Sequence, residues 1–364
     1  MKKQILAATA LALVSGFAAA SDDVTVYGTL DGGIASYKTP AGTVTGFNDS
    51  SVAPSLFGIR GSEDLGGGLK AIFNLEAGIS IANGDSGNNS NIGGSFFNRM
   101  ANVGLAGDFG TVKLGLTMNP LIQTFSGILP MTAESVYATA ALDLGVANFF
   151  TPNSVTYAIP SIDGFNASAQ YSFGGVAGDS NANNSTAVNA SYVGGGFKLS
   201  GAYARREWNK GDFASANNGI GYPLASTPDA GSQTSYIVGL GYTVDAFTAS
   251  VGYLHNDIGG FTTGGDAEVG AWMVGAAYQF TPAFQVGASY IDTNLDSKLA
   301  SIQARYAFSK FTSVYALVDS AENGSQTGNS AALSNFGTIY VGGSVSPVTN
   351  ATNQGFAVGL IHKF

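Results

Sequence analysis

Aromatic residues recur along this chain in pairs six positions apart, and the positions between them alternate in polarity. The pairs are Phe165/Tyr171, Phe197/Tyr203, Tyr236/Tyr242, Phe247/Tyr253, Trp272/Tyr278 and Phe284/Tyr290. Six is even, so on a β-strand both members of a pair face the same way. On that face, between them, stand mostly small or apolar residues: Ala167 and Ala169, Val238 and Leu240, Ala249 and Val251, Val274 and Ala276, Val286 and Ala288. Six residues of strand cover roughly 20 Å, or about 15 Å of bilayer depth at a ~40° tilt. An apolar stripe closed by an aromatic at each end suits a lipid-facing strand, because Tyr, Trp and Phe favour the two membrane–water interfaces. These residues are expected to form aromatic girdles. A soluble β-sandwich gives no reason for one fixed spacing.

The same alternation marks sixteen strand segments, at about 24–37, 53–63, 68–81, 95–106, 110–117, 153–159, 164–174, 185–195, 196–207, 232–243, 246–257, 267–280, 283–292, 296–308, 311–320 and 354–364. Their connections alternate between short and long, with long ones at 38–52, 82–94, 118–152, 175–184, 208–231, 258–266 and 321–353 and a brief exception at 293–295. The predicted fold is all-β: a transmembrane antiparallel β-barrel of sixteen strands with short periplasmic turns and long external loops. Closure is needed because an open edge in lipid leaves N–H and C=O groups unpaired, at several kcal/mol each. Parity then sorts the faces. Val24, Val26, Leu30 and Ile34 face out while Tyr27 and Asp31 face in; Leu69, Ala71, Phe73 and Leu75 face out while Lys70, Asn74 and Glu76 face in. Arg60, Arg99, Lys113, Lys198 and Arg305 fall on the inward parity as well. Inward faces polar throughout would make the lumen wet, and a barrel of this size is wide enough for an aqueous channel.

The ends and the composition narrow the class. Lys2 and Lys3, the apolar run Ile5–Val14 and Ala18-Ala19-Ala20 read as a secretory signal peptide, so residues 1–20 are expected to be removed and 21–364 to form a single barrel domain. After that point no run of eighteen apolar residues offers a transmembrane helix. The chain has no cysteine, which excludes disulfides and thiolate metal sites. Its formal charge is −9, two units lower without Lys2 and Lys3, which argues against nucleic acid as a partner. His255 and His362 are the whole imidazole supply, and both fall on the outward parity, unsuited to triad chemistry. Asp292-Thr293-Asn294-Leu295-Asp296 lacks the Gly and distal Glu of a calcium loop and reads as a hairpin turn. No enzyme, cofactor or metal is expected.

The loop at 118–152 is the longest, and its middle, residues 131–147, is comparatively apolar, holding Val136, Tyr137, Ala138, Ala140, Ala141, Leu142 and Val146, with Glu134 and Asp143 as the only charges. Such content suits either a loop folded back into the barrel, narrowing it, or an external loop packed on its neighbours. The first is expected.

Several stretches carry a resemblance. VTVYGTLDGG at 24–33, SLFGIRGSEDLGGGLKAIFNLEAG at 55–78, FFNRMANVGLAGDFGTVKLG at 96–115, PNSVTYAIPSIDGF at 152–165 and VGLIHKF at 358–364 resemble the Gram-negative general porins, in particular the β-proteobacterial and neisserial branch. The resemblance implies a homotrimer in outer-membrane lipid that passes small hydrophilic solutes and ions. It also implies a third loop lining the pore eyelet, and a terminal aromatic, Phe364, acting as signal to the barrel assembly machinery. Arg60 and Arg99 match the family's basic wall positions, but Leu56, Leu116 and Ile361 stand where arginines are usual. The expected constriction is therefore Arg60 and Arg99 facing Glu134 and Asp143, weakly charged or mildly cation-selective. A substrate-specific channel and a structural or adhesive barrel are the alternatives.

Overall fold

The computed structural model describes residues 23–39, 42–86, 95–131, 149–179, 181–208, 231–259, 267–322 and 352–364. Alternating polarity produces strands almost wherever it occurs. They are β1 (Asp23–Thr39), β2 (Gly42–Asp49), β3 (Leu56–Gly66), β4 (Leu69–Gly78), β5 (Met100–Gly107), β6 (Gly110–Met118), β7 (Phe150–Ala158), β8 (Phe165–Ser172) and β9 (Ser185–Gly194). The second half of the chain adds β10 (Phe197–Trp208), β11 (Gly231–Val244), β12 (Phe247–Ile258), β13 (Ala267–Thr281), β14 (Phe284–Thr293), β15 (Lys298–Ala307), β16 (Thr312–Glu322) and β17 (Thr352–Lys363). One short helix, α1 (Pro120–Phe125), stands among the described residues.

All strand pairs are antiparallel, and from β3 onward each strand pairs with the next in sequence. The long β1 pairs along Asp23–Thr29 with β3 and along Gly32–Thr39 with β2, so β2 and β3 share one place in the wall. The seventeen strands thereby form a closed sixteen-position barrel. The ring shuts where β1 pairs with β17, from Thr29↔Lys363 to Lys38↔Gln354. There Gly28 N–H donates to the Phe364 carbonyl at 3.0 Å and Phe364 N–H donates back to the Gly28 carbonyl at 3.1 Å. The Phe364 ring lies over Gly28, in the space a Cβ would need.

The expected loop at 38–52 is mostly not a loop. The wall continues upward as the β1–β2 hairpin, and the irregular stretch is 50–55, which turns into the barrel. Asp31, fully buried on the inward face, holds it. Its carboxylate accepts from Val52 N–H at 2.7 Å, Ala53 N–H at 2.8 Å and the Tyr315 hydroxyl at 2.7 Å. A carboxylate with three donors satisfies the polar groups that the break in the ladder exposes.

The outer face is apolar as parity required: Val24, Val26, Val103, Leu114, Val238, Val274, Ile302 and Val358 are all exposed. The inner face corrects the expectation of polarity throughout. Ile237, Leu254, Met273, Ile291 and Leu317 point inward and are fully buried, in one apolar cluster with Leu121, Ile122, Phe125, Ile128 and Leu129 of the segment after β6. Period-two alternation tells which face a residue joins, not what covers that face. Here chain folded into the lumen covers it.

Candidate constriction and channel lining

The segment after β6 enters the barrel and is built to stay against its wall. Asn119 caps α1, its side chain accepting from Leu121 N–H at 2.9 Å, and Pro120 opens the helix. Both choices start a helix cheaply, since proline's missing N–H is one the first turn leaves unused. All of α1 but Gln123 is buried. Three consecutive strands then donate to carbonyls of this segment. Gln170 of β8 reaches Met118 O at 3.2 Å, Asn189 of β9 reaches Pro120 O at 3.1 Å, and Lys198 of β10 reaches Gly127 O at 2.7 Å. Gln170 is itself fixed by Thr117 and Thr156 (2.9 and 3.2 Å), and Asn189 by Ser168. Neutral bonds of this kind contribute about 1 kcal/mol each and the lysine's roughly 1.5–3 kcal/mol.

Beyond Gly127 the chain crosses a shelf of inward-facing glycines. A Cβ at Gly239 would meet Ile128 at 2.7 Å, one at Gly252 would meet Ile128 at 2.8 Å, one at Gly275 would meet Pro130 at 2.8 Å, and one at Gly287 would meet Met131 at 3.1 Å. These four glycines belong to β11, β12, β13 and β14, and Gly239 pairs directly with Gly252. Glycine is what lets a backbone come this close to another chain segment. The expected infolding of the third loop is thus seen through Met131. Glu134 and Asp143, and the apolar stretch around them, lie outside the described residues.

The charged wall holds a pairing of its own, while the expected partners Glu134 and Asp143 lie outside the described residues. Arg99 is buried, its Nε 2.7 Å from Glu76 Oε1 and its guanidinium 4.8 Å from the centre of the Phe150 ring. The Tyr27 hydroxyl lies 2.8 Å from both Glu76 Oε2 and Asn74 Oδ1, its one proton shared between these two acceptors. Arg99 is therefore neutralised by the wall itself, through a carboxylate that parity placed inward without revealing its partner. Arg60 is exposed, its guanidinium 5.2 Å from the centre of the Tyr27 ring. Lys70, Lys113 and Arg305, which share the strand parity of Arg60, like it form no ion pair with a carboxylate among the described residues. Lys70, Lys113, Lys198 and Arg305 all lie within a few residues of the short turns at 67–68, 108–109, 195–196 and 308–311. Of the acids on the inward parity, Asp31, Glu76 and Asp319 are buried, while Asp23 and Asp64, the latter opposite Lys70 in register, are exposed.

The paired aromatics form two tiers on the outer face. Phe165, Phe197, Tyr242, Phe247, Tyr278 and Phe284 lie toward the short turns, and Tyr171, Tyr203, Tyr236, Tyr253, Trp272 and Tyr290 toward the long loops. Cross-strand register brings Phe197 against Tyr242 (4.5 Å between ring centres) in one tier and Tyr253 against Trp272 (4.8 Å) in the other. Sequence reading passed over Gln170 and Asn189. Their signal was an amide on the inward parity of adjacent strands, which carries no charge to draw attention.

Comparison with known proteins agrees with this architecture. The family described as Gram-negative porin matches residues 7–326. The chain is 31% identical to outer membrane porin protein 32 of Delftia acidovorans over the full length of both. It is 35% identical over 220 residues to the major outer membrane protein P.IB of Neisseria meningitidis, covering 56% of this chain and 60% of that one. An anion-selective porin from Comamonas acidovorans superposes with a TM-score of 0.73 at 24% identity, covering 94% of this chain and all of the other.

Proposed function

Since the chain belongs to the Gram-negative porin family and forms an outer-membrane channel for passive diffusion, we propose that its lumen is weakly selective with a lean toward anions. The observation that carries this is the sign of the uncompensated wall charge. Arg60, Lys70, Lys113 and Arg305 face the lumen without an ion-pair partner among the described residues and outnumber the exposed inward acids Asp23 and Asp64, whereas Asp31 and Glu76 are buried and bonded. This keeps the weakly charged lumen expected from the missing arginines and takes the opposite sign to the mild cation preference given beside it. Basic residues gathered toward one mouth raise the local concentration of anions and lower that of cations. The effect is modest because Arg99, which matches one of the family's basic wall positions, is spent on Glu76. The anion-selective description of a structural relative supports the same sign.

The same reading has residues 1–20 removed on export and three copies of residues 21–364 assembled in lipid. The short turns then face the periplasm, and the C-terminal strand is read by the barrel assembly machinery. The mutual bonds of Phe364 and Gly28 support a part for that terminus in closing the barrel. Swelling of proteoliposomes in uncharged sugars tests the channel reading. Entry rates should fall smoothly with sugar size and rise in proportion to concentration. Saturation by one sugar would favour a substrate-specific channel, and no swelling with any sugar would favour an adhesive or structural barrel.

A further inference from the structure

We propose that Gln170, Asn189 and Lys198 are positioning residues of the constriction: with the glycine shelf they clamp the first arm of the third loop, residues 118–131, to the inner wall. This rests on the channel reading above and adds what sets the loop's place. The donors come from three neighbouring strands and take carbonyls at both ends of α1, at Met118, Pro120 and Gly127. Past the clamp, Ile128, Pro130 and Met131 sit where side chains at Gly239, Gly252, Gly275 and Gly287 would stand. The clamp restrains the arm along the wall and the shelf sets its depth.

Two consequences have opposite signatures. Loss of a donor frees the arm to fluctuate without altering the shelf. Filling the shelf pushes the arm into the lumen without freeing it. Lys198 has a second possible use, as a plain lumenal charge, and Asn189 separates the two because it has none. Single-channel recording in planar bilayers of the full-length, processed protein reads both, and each inserted channel reports a barrel that has folded. Asn189→Leu and Lys198→Met should each raise open-channel current noise severalfold and add subconductance steps. Asn189→Leu should leave the reversal potential in a KCl gradient unchanged, and Lys198→Arg should restore quiet currents. Gly252→Val should lower conductance roughly 1.5-fold while currents stay quiet, as expected when a pore narrows by about one methyl layer. Quiet currents from both Asn189→Leu and Lys198→Met would overturn the clamp, and wild-type conductance from Gly252→Val would overturn the shelf. Absence of any conductance in the unaltered protein would instead overturn the channel reading.

Discussion

Arg99 and Glu76 show how much of an inward residue's surroundings a local pattern leaves unread. Alternation put both Glu76 and Arg99 on the lumen side, because strand parity is a property of each short segment. Their 2.7 Å pairing joins residues 23 positions apart, and no local pattern records it. Both are buried, so removing one partner leaves an uncompensated charge in a poorly hydrated place. Glu76→Gln should therefore destabilise the barrel by about 3–5 kcal/mol, and restoring neutrality with Arg99→Met in the same chain should recover most of it. Denaturant titration of detergent-folded protein measures both. Equal stability of Glu76→Gln and the unaltered chain would mean that the pair is solvated. The clamp was less legible still. Gln170 and Asn189 are uncharged, and their partners are backbone carbonyls of a segment that sequence alone could assign to either side of the wall.

Strands were the most legible elements, since each needs only its own alternation to be seen. The aromatic spacing located both tiers from residue 165 to residue 290. β2 escaped because Gly-Thr-Val-Thr-Gly-Phe-Asn-Asp is short and rich in residues that favour turns, and its strand form depends on pairing with the overlong β1. The outer faces make a sharp prediction at this scale. Val238 is exposed between Tyr236 and Tyr242, near the middle of the apolar band. Val238→Arg should cost about 2–4 kcal/mol of folding free energy in phospholipid vesicles, measured by urea titration. The inward neighbour Ile237 would not respond to the bilayer in this way, because its side chain is covered by protein. A Val238→Arg variant as stable as the unaltered chain would mean that this strand does not face lipid.

For the molecule as a whole, closure explains why so glycine-rich and sparsely charged a chain is stable in a membrane. Among the described residues every strand but β2, which pairs with β1 alone, has a partner on each side, and Phe364 bonds back to the first strand, so the ring is closed. Closure also divides the protein into an outer surface that the aromatics explain and an inner one that they do not. The inner surface is partly filled: an apolar sector seats the infolded loop, and the remaining wall carries cations grouped toward the short turns. The net negative charge of the chain gives no guide to this lining, because a pore feels the charges that face it. Zero-current potential across a bilayer holding many channels, in a KCl gradient, tests that claim most directly. A small potential of the sign produced by chloride moving more readily than potassium is predicted; a strong potassium preference would contradict it.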